Sequence, residues 1–168
     1  MIGTPAHRPE RDYAAIARAL DGLEGGRAAR MRAAVDVLWD ALADTGVSWI
    51  GFYEPGDDCM ILGACRNKPA CSPLGLDGMC GRAFLAREAF VVRDVRKLDG
   101  GYVACDPRDL SEVVVPLFDG EGTCWGVLDA DSFDVGAFDA SDAVALVEIM
   151  VVAGLSTQLD DPIVVRTI

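Results

Sequence analysis

The sequence predicts an α+β domain with a mainly antiparallel central sheet and helices packed on one face. Three observations carry this. Apolar residues recur at helical spacing at Met31, Val35, Leu38 and Leu42. Two pairs of β-rich segments, 47–53 with 59–64 and 111–118 with 123–132, are each joined by a short turn. Helical spacing returns near the C-terminus at Val144, Val147, Val151 and Leu155. Such elements are each apolar on one side and must bury that side against one another.

Taken in order, residues 1–10 read as a loose tail and 11–20 as a short helix. Gly25-Gly26 breaks the chain, and 27–44 is an amphipathic helix ended by Thr45-Gly46. Residues 47–53 form a strand, Pro55-Gly56-Asp57-Asp58 a turn and 59–64 the returning strand. Residues 65–79 carry Pro69, Pro73, Gly75 and Gly78 and read as a loop. A short helix is predicted over 80–87, a strand over 89–93 and a second long loop over 94–110. The second hairpin turns at Asp119-Gly120-Glu121-Gly122. Ser141 is the predicted N-cap of the last helix. The domain is expected to span 11–159, with 160–168 as a tail. Ordered loops longer than about 12 residues in a compact domain are usually functional, which directs attention to 65–79 and 94–110.

A chain of 168 residues suits one domain, and it can bury roughly 70% of its unfolded surface without a disulfide or metal staple. The net charge of −12 disfavours nucleic acid and anionic membranes as partners. No apolar run approaches the ~20 residues of a membrane span. Residues 1–11 lack the apolar core of a signal peptide, so the expected location is the cytoplasm.

Six cysteines in a reducing compartment call for a reason other than scaffolding. Zinc is not indicated: there is no Cys-x-x-Cys pair, and His7 is the single histidine. No residue is assigned to a metal. Cys71, Cys80 and Cys105 fall in loops or at a helix start, where thiols can react. Cys80 sits at the start of a predicted helix, whose exposed amides can lower a thiol pKa. Cys59, Cys65 and Cys124 lie in or beside strands and are assigned to packing.

Acidic and aromatic residues form two further groups. The strand period of two places Asp129 and Asp131 on one face, and Glu112 can approach them across the hairpin. Carboxylates so gathered repel, which raises at least one pKa. A carboxyl kept protonated near neutral pH can donate a proton to a departing oxygen. Trp49 and Tyr53, four residues apart on one strand, also share a face.

These segments resemble the free methionine-(R)-sulfoxide reductases, stand-alone GAF-domain enzymes, over about residues 34–155. The carriers are Trp49-Ile50-Gly51-Phe52-Tyr53, Lys68-Pro69-Ala70-Cys71, Gly78-Met79-Cys80-Gly81, Ala104-Cys105-Asp106, Ser111-Glu112-Val113-Val114-Val115-Pro116 and Gly126-Val127-Leu128-Asp129-Ala130-Asp131-Ser132. The resemblance implies a GAF-type fold and reduction of the free amino acid. It implies Cys105 as nucleophile, Cys71 as principal resolving thiol and Cys80 as a second. Glu112, Asp129 and Asp131 match the carboxylates around the substrate's sulfoxide and amino group, and Trp49 and Tyr53 match the aromatic wall for its methyl. The implied cycle passes through a Cys105 sulfenic acid and a Cys71–Cys105 disulfide. It needs no bound cofactor, but an external dithiol such as thioredoxin. Two departures stand out: the Cys71–Cys80 loop is slightly short for the family, and Tyr102 stands where a histidine is common.

Two other readings fit a GAF domain, a non-catalytic small-molecule sensor and a dimerisation module. A homodimer is compatible with the sequence. A module without chemistry would show no thiol change on exposure to substrate.

Overall fold

The computed structural model describes residues 10–100, 102 and 104–168. Residues 1–9 of the predicted N-terminal tail, including His7, and Gly101 of the second long loop lie outside them. Four helices and seven strands follow in the order α1 (Tyr13–Leu20), α2 (Arg27–Leu42), β1 (Trp49–Pro55), β2 (Cys59–Arg66), β3 (Leu74–Gly75), α3 (Met79–Ala86), β4 (Ala89–Val92), β5 (Ser111–Phe118), β6 (Cys124–Ser132), α4 (Ala140–Val152) and β7 (Val165–Thr167). Single 3₁₀ turns occupy Ala43–Thr45 and Val95–Lys97.

The strands form one sheet in the order β3-β2-β1-β6-β5-β4-β7. Every pairing is antiparallel except that of β4 with β7. The β5–β6 hairpin closes because the Asp119 carboxylate accepts from the amides of Glu121 and Thr123, both at 2.9 Å, while Gly122 takes φ +76°. The last strand arises inside the stretch read as a tail. Its backbone bonds to β4, with Ala89 N–H donating to Val164 O and Ile168 N–H to Val91 O, both at 2.9 Å.

Alternation along the strands divides the interior in two. Ile50, Phe52, Val113, Val115, Leu117, Leu128 and Ala130 face α1, α2 and α4. Met31, Val35, Leu38 and Leu42 of α2 are all buried there, as their spacing requires. The opposite parity carries Trp49, Tyr53, Val114 and Val127 to the other face, where they meet Met79, Cys80 and Ala83 of α3. Thus α1, α2 and α4 cover one face as expected, whereas the predicted short helix, α3, lies on the opposite face. Gly81 permits this seating: a Cβ there would come within 2.3 Å of the Leu76 carbonyl oxygen. The N-cap of α4 is Asp139 rather than Ser141. Its side chain accepts from Ser141 and Asp142 amides, and the Asp142 carboxylate returns the bond to the Asp139 amide at 2.8 Å. The two-way box outcompetes a serine two residues later.

Candidate active site

Sheet register assembles the site beneath α3. Trp49 pairs with Asp131 across β1–β6, and Asp131 pairs with Glu112 across β6–β5. One cross-strand row therefore reads Trp49–Asp131–Glu112. The next row places Gly51, Asp129 and Val114 side by side. Gly51 has to be glycine here, because a Cβ would meet the Trp49 ring at 2.4 Å. With that space the indole and the Tyr53 ring approach to 6.0 Å between centroids.

Trp49, Tyr53, Glu112, Asp129 and Asp131 line a cavity of about 260 Å³, together with Cys71, Cys80 and Cys105. All eight sequence-assigned residues therefore converge on one place. Asp109 and Tyr102 line it as well.

The carboxylates form the floor. Glu112, Asp129 and Asp131 each present an oxygen within 4.8 Å of the other two. Burial pushes all three pKa values up, and mutual repulsion adds to it for Glu112 and Asp131. Asp129 is pushed up to about 7, against a bond from the Cys80 thiol that works the other way. Asp109 is a further buried acid, 5% exposed, fixed by the Ser48 hydroxyl at 2.9 Å, and its charge raises its neighbours further. Nothing local in the sequence marks it, since its partner lies 61 positions away. Tyr102 stands beside Glu112 and favours its charged carboxylate.

The thiols divide between floor and mouth. Cys80 is buried and donates to Asp129 Oδ2 at 3.4 Å. Its pKa is well above the ordinary thiol value, first through burial and then through Asp129 and Glu112. The expected lowering at the α3 N-terminus is overturned, because a fractional dipole charge is outweighed by desolvation and full negative charges. Cys71 and Cys105 are exposed. Both line the cavity, and burial, with Cys71 as a close neighbour, pushes Cys105 up to about 12. Of the remaining cysteines, Cys124 is buried, and Cys65 bonds weakly to Lys68 O at 3.5 Å.

Both long loops are anchored to the sheet and to each other. Trp49 Nε1 donates to Lys68 O at 2.8 Å, and the Tyr53 hydroxyl donates to Cys71 O at 2.9 Å. The Lys68 ammonium pairs with Asp106, which also takes Arg108 at 2.7 Å and is held well below the usual carboxylate range by these partners. The aromatic residues thus place the Cys71 loop as well as walling the cavity, a role the strand parity alone does not reveal.

Chemically, the site offers two exposed thiols lining one cavity, acids that hold protons near neutral pH, and an aromatic wall. No helix among the described residues is long and apolar enough to cross a membrane.

Residues 27–156 match the family described as GAF domain. A protein of Saccharomyces cerevisiae named free methionine-R-sulfoxide reductase is 36% identical over 115 residues, 65% of this chain and 63% of that protein. This chain therefore spans just under two thirds of the length of that relative. The solved free methionine-R-sulfoxide reductase of Neisseria meningitidis, in complex with its substrate, superposes with TM-score 0.74 at 32% identity, covering 84% of this chain and 83% of that one. The reduced form of the Staphylococcus aureus protein named fRMsr gives TM-score 0.78 at 30% identity, covering 86% and 94%. On these likenesses and the site they accompany, the chain belongs to the GAF-domain family and, within it, to the free methionine-R-sulfoxide reductases.

Proposed function

We propose that the chain reduces free L-methionine-(R)-sulfoxide to methionine through its thiols. One observation carries this reading: Cys71 and Cys105 line the same cavity, whose floor is Glu112, Asp129 and Asp131. A free amino acid brings an ammonium group that such a floor attracts. A peptide-bound sulfoxide has no such group.

Cys105 attacks the sulfoxide sulfur, and a protonated floor carboxyl gives its proton to the sulfoxide oxygen. The thiol proton of Cys105 passes to the carboxylate so formed. Oxygen moves to Cys105 as a sulfenic acid, and methionine leaves. The Cys71 thiol then displaces water from the sulfenic acid and forms a Cys71–Cys105 disulfide. An external dithiol of the thioredoxin type, in the cytoplasm, reduces that bond by exchange and is itself oxidised. In sum, one sulfoxide and two reducing thiols give methionine, water and one disulfide. The ammonium of the bound substrate offsets the negative floor and favours the Cys105 thiolate, countering the repulsion that raises it. Cys80, buried against Asp129, stands in reserve as a second resolving thiol.

The test is incubation of the reduced protein and a dithiol with each epimer of free methionine sulfoxide and with a sulfoxidised peptide, reading the methionine formed. Turnover of the free R epimer, with the S epimer and peptide much poorer, is the expected result. Equal turnover of both epimers, or preference for the peptide, refutes it.

A further inference from the structure

The acidic floor has a property that proton donation does not use. Glu112 Oε1 and Asp129 Oδ1 are buried and have no hydrogen-bond partner among the described residues. Their residues are 3% and 6% exposed, and both line the cavity. An unsatisfied buried polar atom costs about 1–3 kcal/mol, more when charged, so these oxygens favour anything that neutralises them. The protein supplies little: among the described lining residues Arg82 is the one basic side chain, and its Nε donates to Asp77 O at 3.0 Å.

The geometry suits an ion. One oxygen from each of Glu112, Asp129 and Asp131 lies within 4.8 Å of the other two. Oxygen ligands sit about 2.3–2.6 Å from Ca²⁺, so ligands of one such ion lie within roughly 5 Å of one another. The donors are all carboxylates, a set that suits Ca²⁺, Mn²⁺ and Mg²⁺. The cavity leaves room for the water ligands that complete such a shell.

We propose that Glu112, Asp129 and Asp131 form a binding site for a hard divalent cation, Ca²⁺ or Mn²⁺. Ion and amino-acid ammonium need the same oxygens, so they exclude each other. The exclusion rests on the reductase reading; the binding does not.

Titration of the phosphine-reduced protein with MnCl₂, read by the loss of the free Mn²⁺ electron-spin resonance signal, tests the site. One Mn²⁺ per chain is expected. Affinity should fall at least about 10-fold in Asp131→Asn and in Glu112→Gln. It should stay unchanged in Cys71→Ser. Removing buried negative charge leaves the fold intact, and a thermal melt verifies this for each variant. No saturable binding at millimolar Mn²⁺, or equal affinity in both carboxylate variants, overturns the proposal. Free methionine sulfoxide should displace the ion, and Mn²⁺ should raise KM while leaving kcat unchanged. Binding that the carboxylate variants lose, but that the sulfoxide does not displace, keeps the cation site and removes the exclusion.

Discussion

The Tyr53 hydroxyl donates to the carbonyl oxygen of Cys71 across 2.9 Å, so a strand of the central sheet holds the loop that presents an exposed thiol. Tyr53→Phe keeps the ring and removes the donor. The loop should then fluctuate, and disulfide formation should slow about 10-fold while substrate affinity changes little. The lost bond corresponds to about 1 kcal/mol of stability. Rapid-quench measurement of methionine release and of disulfide formation separates the two steps. Equal slowing of both would place Tyr53 in the chemistry itself.

The exposed Cys71 and Cys105 line one cavity, and this sets the expected pairing. After a single addition of substrate, non-reducing peptide mapping should find Cys71 joined to Cys105, with Cys59 and Cys124 free. The double variant Cys71→Ser/Cys80→Ser should release about one methionine per chain and hold Cys105 as a sulfenic acid that a carbon nucleophile can trap. A Cys105–Cys80 bridge in the unsubstituted protein would contradict this pairing.

The floor makes the protein acid-preferring. Burial raises the Asp129 pKa from the ordinary value to about 7, so between about pH 4 and 7 the folded state holds a proton that the unfolded chain has lost. Stability should therefore fall as pH rises through that window, and turnover should fall above about pH 7 as the donor deprotonates. Asp129→Asn should flatten the stability profile and stabilise the protein at pH 8, while lowering turnover by about 10²–10⁴-fold. Denaturant titrations from pH 5 to 8 decide the sign.

Far from the cavity, Arg11 Nη1 meets Asp142 Oδ1 at 3.1 Å with both side chains at most 1% exposed. Tyr13 donates to the same oxygen at 2.7 Å, and Arg11 lies over the Phe138 ring at 4.7 Å. Asp142→Ala leaves that guanidinium buried without its counter-charge and breaks the capping box of α4. The expected loss is about 3–5 kcal/mol, read by urea unfolding. A loss below about 1 kcal/mol would show that the ion pair repays only its own desolvation.

The sequence makes the periodic parts visible and hides the long-range ones. Met31, Val35, Leu38 and Leu42 announce the buried stripe of α2, and the parity of Asp129 and Asp131 puts both on one face, because those signals are local and repeat. β5 begins and ends where its valine-rich run does, at Ser111 and Phe118. By contrast, Val165–Thr167 becomes a strand only because β4 offers it an open edge 76 positions earlier (Ala89↔Val165). Asp109 looks like a solvated loop acid until Ser48 is brought beside it. Cys80 carries the right neighbours for a reactive thiol, yet depth in the fold reverses its expected acidity. Burial and distant pairing decide these residues, and neither is written in the nearby sequence.

The division of the thiols between depth and surface sets who can reach what. Cys71 and Cys105 are exposed, whereas Glu112 and Asp129 lie on the cavity floor. A small molecule has to enter to meet the acids. A macromolecule can touch both sulfurs from outside without threading anything through the opening. The two clients of such a centre need not share a doorway in shape, only in timing. The recognition of one can therefore drift through evolution while that of the other stays fixed.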